Sequence, residues 1–255
     1  MPSQAIEKRR DALEAELERV REYAQMEPSI RQILVFGSYA TNEIHEWSDL
    51  DLVLIQDTQA PFLDRSLSLV RAIKPRAGIQ FLVYTPEETR KLIQRPFFRH
   101  EILTKGKVLP MHPHEEAARW LEFAEEDLQM AELAYSRKIY NQVCFHAQQA
   151  TEKCLKASIA ANGNLVPRSH MMADLTREVP EGLQRKMGST LEQLLLLDQF
   201  YIPTRYPDAL PGSLEEGLPN EDHAATARKT AQECFHLVRD WIQAHESGSN
   251  GEKGT

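Results

Sequence analysis

Cysteine is scarce: there are three in 255 residues, Cys144, Cys154 and Cys234, and no two stand at a C-x-x-C spacing. That argues against a thiolate zinc site and a disulfide framework, and an odd number of thiols without a secretory leader points to a reducing, cytoplasmic setting. Long apolar runs are also missing. None approaches the ~20 residues that span a bilayer, and the N-terminal MPSQAIEKRRDALEAELERV is too charged for a signal peptide. No membrane partner is expected. Cationic residues are in deficit, with 30 Lys and Arg against 38 Asp and Glu and a formal charge of −8. Coating nucleic acid takes a surplus of cations, so no extensive nucleic-acid surface is expected, although a local basic groove is compatible with the total.

The chain is long enough for two modest domains. Residues 4–25 read as a helix, with Ala12, Leu13, Leu17, Val20 and Ala24 at helical spacing. RQILVFGS is a short apolar strand ending in a Gly-Ser turn. Residues 39–46 follow as a short helix, SDLDLVLI as a second strand, LDRSLSLVRAI as a helix, and GIQFLVYT as a third strand closed by Thr85-Pro86. This alternation over residues 1–110 predicts an α/β (α+β) unit with a short mixed sheet. Past the linker PMHPHE no strand is apparent. Ala117, Leu121, Ala124, Leu128 and Ala131 form one stripe, and Val143, Ala147, Ala150, Cys154 and Ser158 a second, ending at Asn162-Gly163. The run 191–200 and a stripe from Ala224 to Trp241 complete an all-helical bundle of four or five helices over 114–245. Residues 246–255 are polar and are expected to be a disordered tail. LVPRSHM at 165–171 has the look of a protease-cleavage site, but it leads into a helical pattern and is taken as native.

Gly37 lies where a strand turns into a helix, so its backbone can adopt φ > 0 and approach a phosphate closely, and Ser38 adds a hydroxyl donor. Alone, a Gly-Ser turn says little. Asp49 and Asp51, two apart on a strand, share one face while Leu50, Leu52 and Leu54 share the other. Two carboxylates so placed repel each other unless a divalent cation sits between them, and magnesium favours such oxygens together with nucleotide phosphates. The spacing GS-x10-D-x-D is more specific than either part. With ILVFGSYA, WSDLDLVLI and FLVYTPEE in order over residues 31–88, it resembles the DNA polymerase beta-like nucleotidyltransferases, in particular the minimal nucleotidyltransferases of bacteria and archaea.

The resemblance implies that Gly37 and Ser38 hold the phosphates of ATP or another nucleoside triphosphate. Asp49 and Asp51 would be the catalytic, magnesium-binding acids of a two-metal transfer of a nucleoside monophosphate to a hydroxyl. The family's third carboxylate falls at Gln80, a neutral amide that cannot act as a base. Its Arg-Gly pair is replaced by Thr41-Asn42. Glu87 and Glu88 are read as helix-start acids and not as replacements for the missing carboxylate.

In the helical half, His146, Gln149, Lys153 and Lys156 share one side of a helix, read either as a solvated face or as a polar cleft for a phosphate-bearing ligand. Tyr201, Arg205 and Tyr206, in a path fixed by Pro203 and Pro207, would stand near such a cleft. Lys153 and Arg205 are the candidate nucleotide contacts. His45, His100, His112 and His114 are read as surface or loop residues, and Trp120 and Trp241 as packing residues. FHAQQATEKCLKA, HMMADL and YIPTRYPDA resemble the HEPN domain over residues 114–245. Many HEPN domains are ribonucleases with an Arg-x4–6-His motif. Arg168 and His170 are too close for it, and Arg228 and His236 are separated by seven residues, so ribonuclease action is the least favoured reading.

The expected function is binding of a nucleoside triphosphate with magnesium and transfer to a small-molecule or protein acceptor. The alternative is a degenerate nucleotide-binding, regulatory module of a toxin–antitoxin-like system. Pairing of HEPN relatives through their helices implies a homodimer.

Overall fold

A computed structural model of the chain describes residues 4–200 and 219–249. Tyr201, Pro203, Arg205, Tyr206 and Pro207 lie outside the described residues, as do residues 250–255 of the expected tail. The chain divides into two compact units, Met1–His112 with Gly163–Arg168, and Pro113–Asn162 with Ser169–Thr255.

The first unit runs α1 (Gln4–Met26), β1 (Ile30–Phe36), α2 (Gly37–Thr41), β2 (Leu50–Gln56), α3 (Phe62–Ile73), β3 (Ile79–Tyr84), α4 (Pro86–Leu92), a π-helical turn (Phe98–Thr104) and β4 (Lys107–Val108), and it takes in β5 (Val166–Pro167). The sheet order is β3-β2-β1-β4-β5. Only the β2–β3 pair is parallel, as the crossover through α3 requires, and the other pairs are antiparallel. The sheet is therefore mixed, as expected.

Period-two alternation sorts the strands. Ile33, Val35, Leu50, Leu52 and Leu54 form one core with Leu13, Leu17 and Val20 of α1 and Leu69 and Ile73 of α3. Leu34, Phe36 and Val53 pack on the other face with Phe98 and Ile102 of the π-helical turn. Each such buried side chain contributes about 1.5–3 kcal/mol of transfer free energy. Asp51 is paired with Phe36 across the antiparallel ladder and with Gln80 across the parallel one, so all three project on this second face.

Three expectations are corrected in detail. Helix α2 covers 37–41 and not 39–46, because Asn42 takes a left-handed conformation at φ +63° and ends it. A strand does occur beyond residue 109. Val166 and Pro167 pair with Val108 and Lys107, and a two-residue edge strand is too short for alternation to reveal, while Pro is tolerated at an edge. Residues 163–168, expected within the helical half, accordingly group with the first unit.

The second unit contains α5 (Pro113–Ser136), α6 (Tyr140–Ala161), α7 (Met172–Glu178), α8 (Glu181–Met187), α9 (Thr190–Leu196) with a 3-10 turn (Leu197–Phe200), and α10 (Glu221–Ser249). Ala117, Ala124 and Ala131 of α5, Ala147 and Ala150 of α6, and Ala224, Ala227 and Ala231 of α10 are buried. Small side chains on the facing stripes let helix axes approach closely. The run 191–200 is a short helix plus a 3-10 turn, and the seven-residue α7 and α8 are too short for a helical period to be legible.

Candidate functional site

The first unit gathers Gly37, Ser38, Asp49, Asp51 and Gln80. Because Phe36 is registered with Asp51, the residue after Phe36 arrives directly beside the Asp51 side chain. Gly37 stands there at φ +69°, and a Cβ on it would come 2.3 Å from Asp51 Oδ2. Only glycine meets both demands.

Asp49 immediately precedes β2. Its Oδ1 lies where a Cβ on Gly78 would be, 2.0 Å away, and the Leu50 N–H donates to Gly78 O at 2.9 Å. No hydrogen-bond donor to the Asp51 carboxylate occurs among the described residues. Burial, with Asp49 beside it, raises the Asp51 carboxyl above the usual range. Gln80 is exposed next to Asp51. Among the described residues no group of three His, Cys, Asp or Glu side chains is arranged to hold a metal ion.

Ser38 Oγ donates to Ser48 Oγ at 2.9 Å, and Ser48, 2% exposed, also accepts from the His45 N–H at 3.0 Å. Arg9 of α1 donates through Nε to Ser48 O at 2.7 Å and through a terminal nitrogen to Asp49 Oδ1 at 3.2 Å. Ser48, Gly78 and Arg9 were not singled out in the sequence. Ser48 adjoins Asp49 and Gly78 immediately precedes β3, which are weak local signals. Arg9 is 40 residues from Asp49 and carries none.

Glu87 and Glu88 stand in the first turn of α4, which Thr85 and Glu88 close as a capping box. Glu88 accepts from both terminal nitrogens of the buried Arg65 guanidinium. It is committed to structure.

In the second unit the polar stripe of α6 is neither a solvated face nor an open cleft. Asp127 of α5 accepts from Lys153 and is 2.8 Å from His146 Nδ1. Lys156 and Glu152, 5% and 4% exposed, form an ion pair that His170 joins at 2.9 Å. Lys156 also lies over the Trp120 ring. Carboxylates from α5 and from α6 itself fold this stripe inward, because buried ammonium groups need partners. A phosphate reaching Lys153 would have to compete with Asp127.

The Arg-x4–6-His spacing, unmet at Arg168/His170 and Arg228/His236, is met at Arg239 and His245 on α10. His245 Nδ1 is 2.8 Å from Trp241 O, a carbonyl that can only accept, so Nδ1 carries a proton there. All three cysteines are free and buried, and burial pushes the Cys144 thiol up to about 12, which excludes thiolate chemistry there. No described helix is long and apolar enough to cross a membrane.

Comparison with known proteins gives two family matches, "Polymerase beta, Nucleotidyltransferase" over residues 18–114 and "HEPN domain" over residues 117–241. The candidate toxin MJ1304 of Methanocaldococcus jannaschii is 24% identical over 135 residues, covering 50% of this chain and 88% of that protein. TT1696 from Thermus thermophilus is 33% identical over 49% of this chain and 97% of its own, with a TM-score of 0.44. ST0689, an archaeal HEPN homologue, is 27% identical over 50% of this chain and 98% of its own, with a TM-score of 0.41. With its two domains in this order, the chain belongs to the proteins that fuse a polymerase beta-type nucleotidyltransferase domain to a HEPN domain.

Proposed function

We propose that the first unit binds a nucleoside triphosphate together with magnesium and transfers its nucleoside monophosphate to a hydroxyl of a small molecule or protein. The observation that carries this reading is the Asp51 carboxylate held against Gly37, with Asp49 alongside. A carboxyl raised first by burial and then by a neighbouring acid, with no described donor to it, gains from a divalent cation. The donor set of two carboxylates and an amide suits one magnesium ion, which would polarise the phosphoryl group.

Gly37 and Ser38 would face the phosphates. Hydroxyl protons rotate, so if Ser48 donates within the Ser38–Ser48 pair, the Ser38 proton is released for a phosphate oxygen. Within the helical domain Lys153 and Arg205 are proposed nucleotide-binding residues, and a homodimer is proposed by resemblance alone.

Gln80 favours a second reading, nucleotide binding without transfer, in keeping with a regulatory or toxin–antitoxin-like role. Incubation with labelled ATP and magnesium distinguishes the two. Transfer by the wild type that Asp49→Ala abolishes is the expected result. Binding without transfer, with activity gained only in Gln80→Asp, would overturn the enzymatic reading in favour of the second. The same preparation is assayed on RNA, where cleavage lost in His245→Ala would assign ribonuclease chemistry to the helical domain.

A further inference from the structure

Arg9 is remote from the strand that carries the two carboxylates and precedes the segment matched by the nucleotidyltransferase family model, which begins at residue 18. Its place is nevertheless fixed. Leu13, Leu17 and Val20, on the following turns of α1, are buried against the sheet, so the helix delivers residue 9 to one end of β2. From there a single guanidinium grips two successive residues, Ser48 through its carbonyl and Asp49 through Oδ1, at 2.7 and 3.2 Å. The Arg9 side chain is 23% exposed. The backbone makes room for the pair. A Cβ on Gly78 would lie 2.0 Å from Asp49 Oδ1 and 3.4 Å from the Arg9 terminal nitrogen, so this contact and a side chain at position 78 exclude each other.

The charge of the site follows. Asp49 and Asp51 supply two negative charges, Gln80 none, and Arg9 returns one positive charge, leaving a net −1. We infer that Arg9 is a built-in cation of the site. By holding Asp49 Oδ1 it stands in for a second metal ion, so the two acids would hold a single divalent cation with the nucleotide. This rests on the reading that the two acids bind a cation with nucleotide. Two metals ~3.5–4 Å apart need carboxylates with oxygens to spare for both. Here one oxygen is committed to a guanidinium, and the third acid is an amide. The guanidinium's fork, held at two points, cannot be deprotonated and needs no loading, unlike an exchangeable ion. Through Ser48 it also supports the residue that holds the Ser38 hydroxyl.

Mn2+ binding to the full-length protein, measured by electron paramagnetic resonance with a non-hydrolysable ATP analogue, tests the inference. The wild type is expected to bind one Mn2+ per bound nucleotide. Arg9→Gln, with a neighbouring positive charge removed, is expected to bind Mn2+ about tenfold more tightly. Arg9→Lys keeps the charge and is expected to stay within about twofold of the wild type. The pair Arg9→Gln with Gln80→Asp is expected to take up a second ion. Two ions in the wild type, or unchanged Mn2+ affinity in a folded Arg9→Gln, overturns this inference and leaves the nucleotide site standing. No Mn2+ uptake by any of these proteins overturns both.

Discussion

Replacing Gly37 with alanine tests how the phosphate turn and the acid pair are coupled. Two costs can be read from the structure. At φ +69° an L-residue sits in the left-handed region, at a cost of about 1–2 kcal/mol. The new Cβ also meets Asp51 Oδ2 at 2.3 Å, so the oxygen must retreat by about 1 Å to reach ordinary contact. Swinging the carboxylate off its rotamer adds about 0.5–1.5 kcal/mol. The second cost depends on Asp51. Asp51→Ala removes the oxygen and leaves only its Cβ, 3.5 Å away, an ordinary contact.

A double-mutant cycle followed by calorimetric unfolding should therefore show Gly37→Ala costing about 1.5–3.5 kcal/mol in the wild type and about 1–2 kcal/mol in Asp51→Ala. With Asp51 displaced, affinity for magnesium and ATP, measured by titration calorimetry, should fall at least about tenfold. Equal costs in both backgrounds, with ATP affinity unchanged in the single variant, would refute the idea that Gly37 is required by its approach to Asp51.

Asp51→Asn should raise the melting temperature of the metal-free protein at pH 7 while abolishing its stabilisation by magnesium and ATP. A carboxyl raised in the fold contributes stability below its unfolded pKa that is lost as pH rises through the folded one, so at neutral pH the ionised group is a net cost. Discounted for its part exposure, the gain should be about 1–3 °C, and a fall in melting temperature would contradict it. Glu88 has the opposite sign. The hydrogen bonds from Arg65 lead its causes and lower its carboxyl, so it stabilises the fold above the usual glutamate range and loses that contribution as pH falls through its folded value. Discounted for its part-exposed side chain, Glu88→Gln should cost about 1 kcal/mol at pH 7 and much less at acid pH, measured by denaturant unfolding at both, and a pH-independent difference would count against the pairing.

Much of the site was legible because it is local. The Gly-Ser turn after an apolar strand, the D-x-D alternation and the Thr85-to-Glu88 cap each depend on residues within a few positions, where backbone period and turn chemistry act. Leu50, Leu52 and Leu54 fell on the buried face for the same reason. The Arg239/His245 spacing is just as local. Long-range register was not legible. Nothing around residue 9 announces that a helix will carry its guanidinium to Asp49, and nothing at Gly78 tells that a side chain there would collide with that pair. Nor does the α6 stripe reveal that Asp127 of another helix will meet His146 and pair with Lys153. Sequence by itself determined the elements long enough to show a period and the identity of the acids, because side-chain alternation and turn geometry are short-range. Tertiary structure alone decided the charge around those acids, because electrostatic partners are set by packing between segments far apart in the chain.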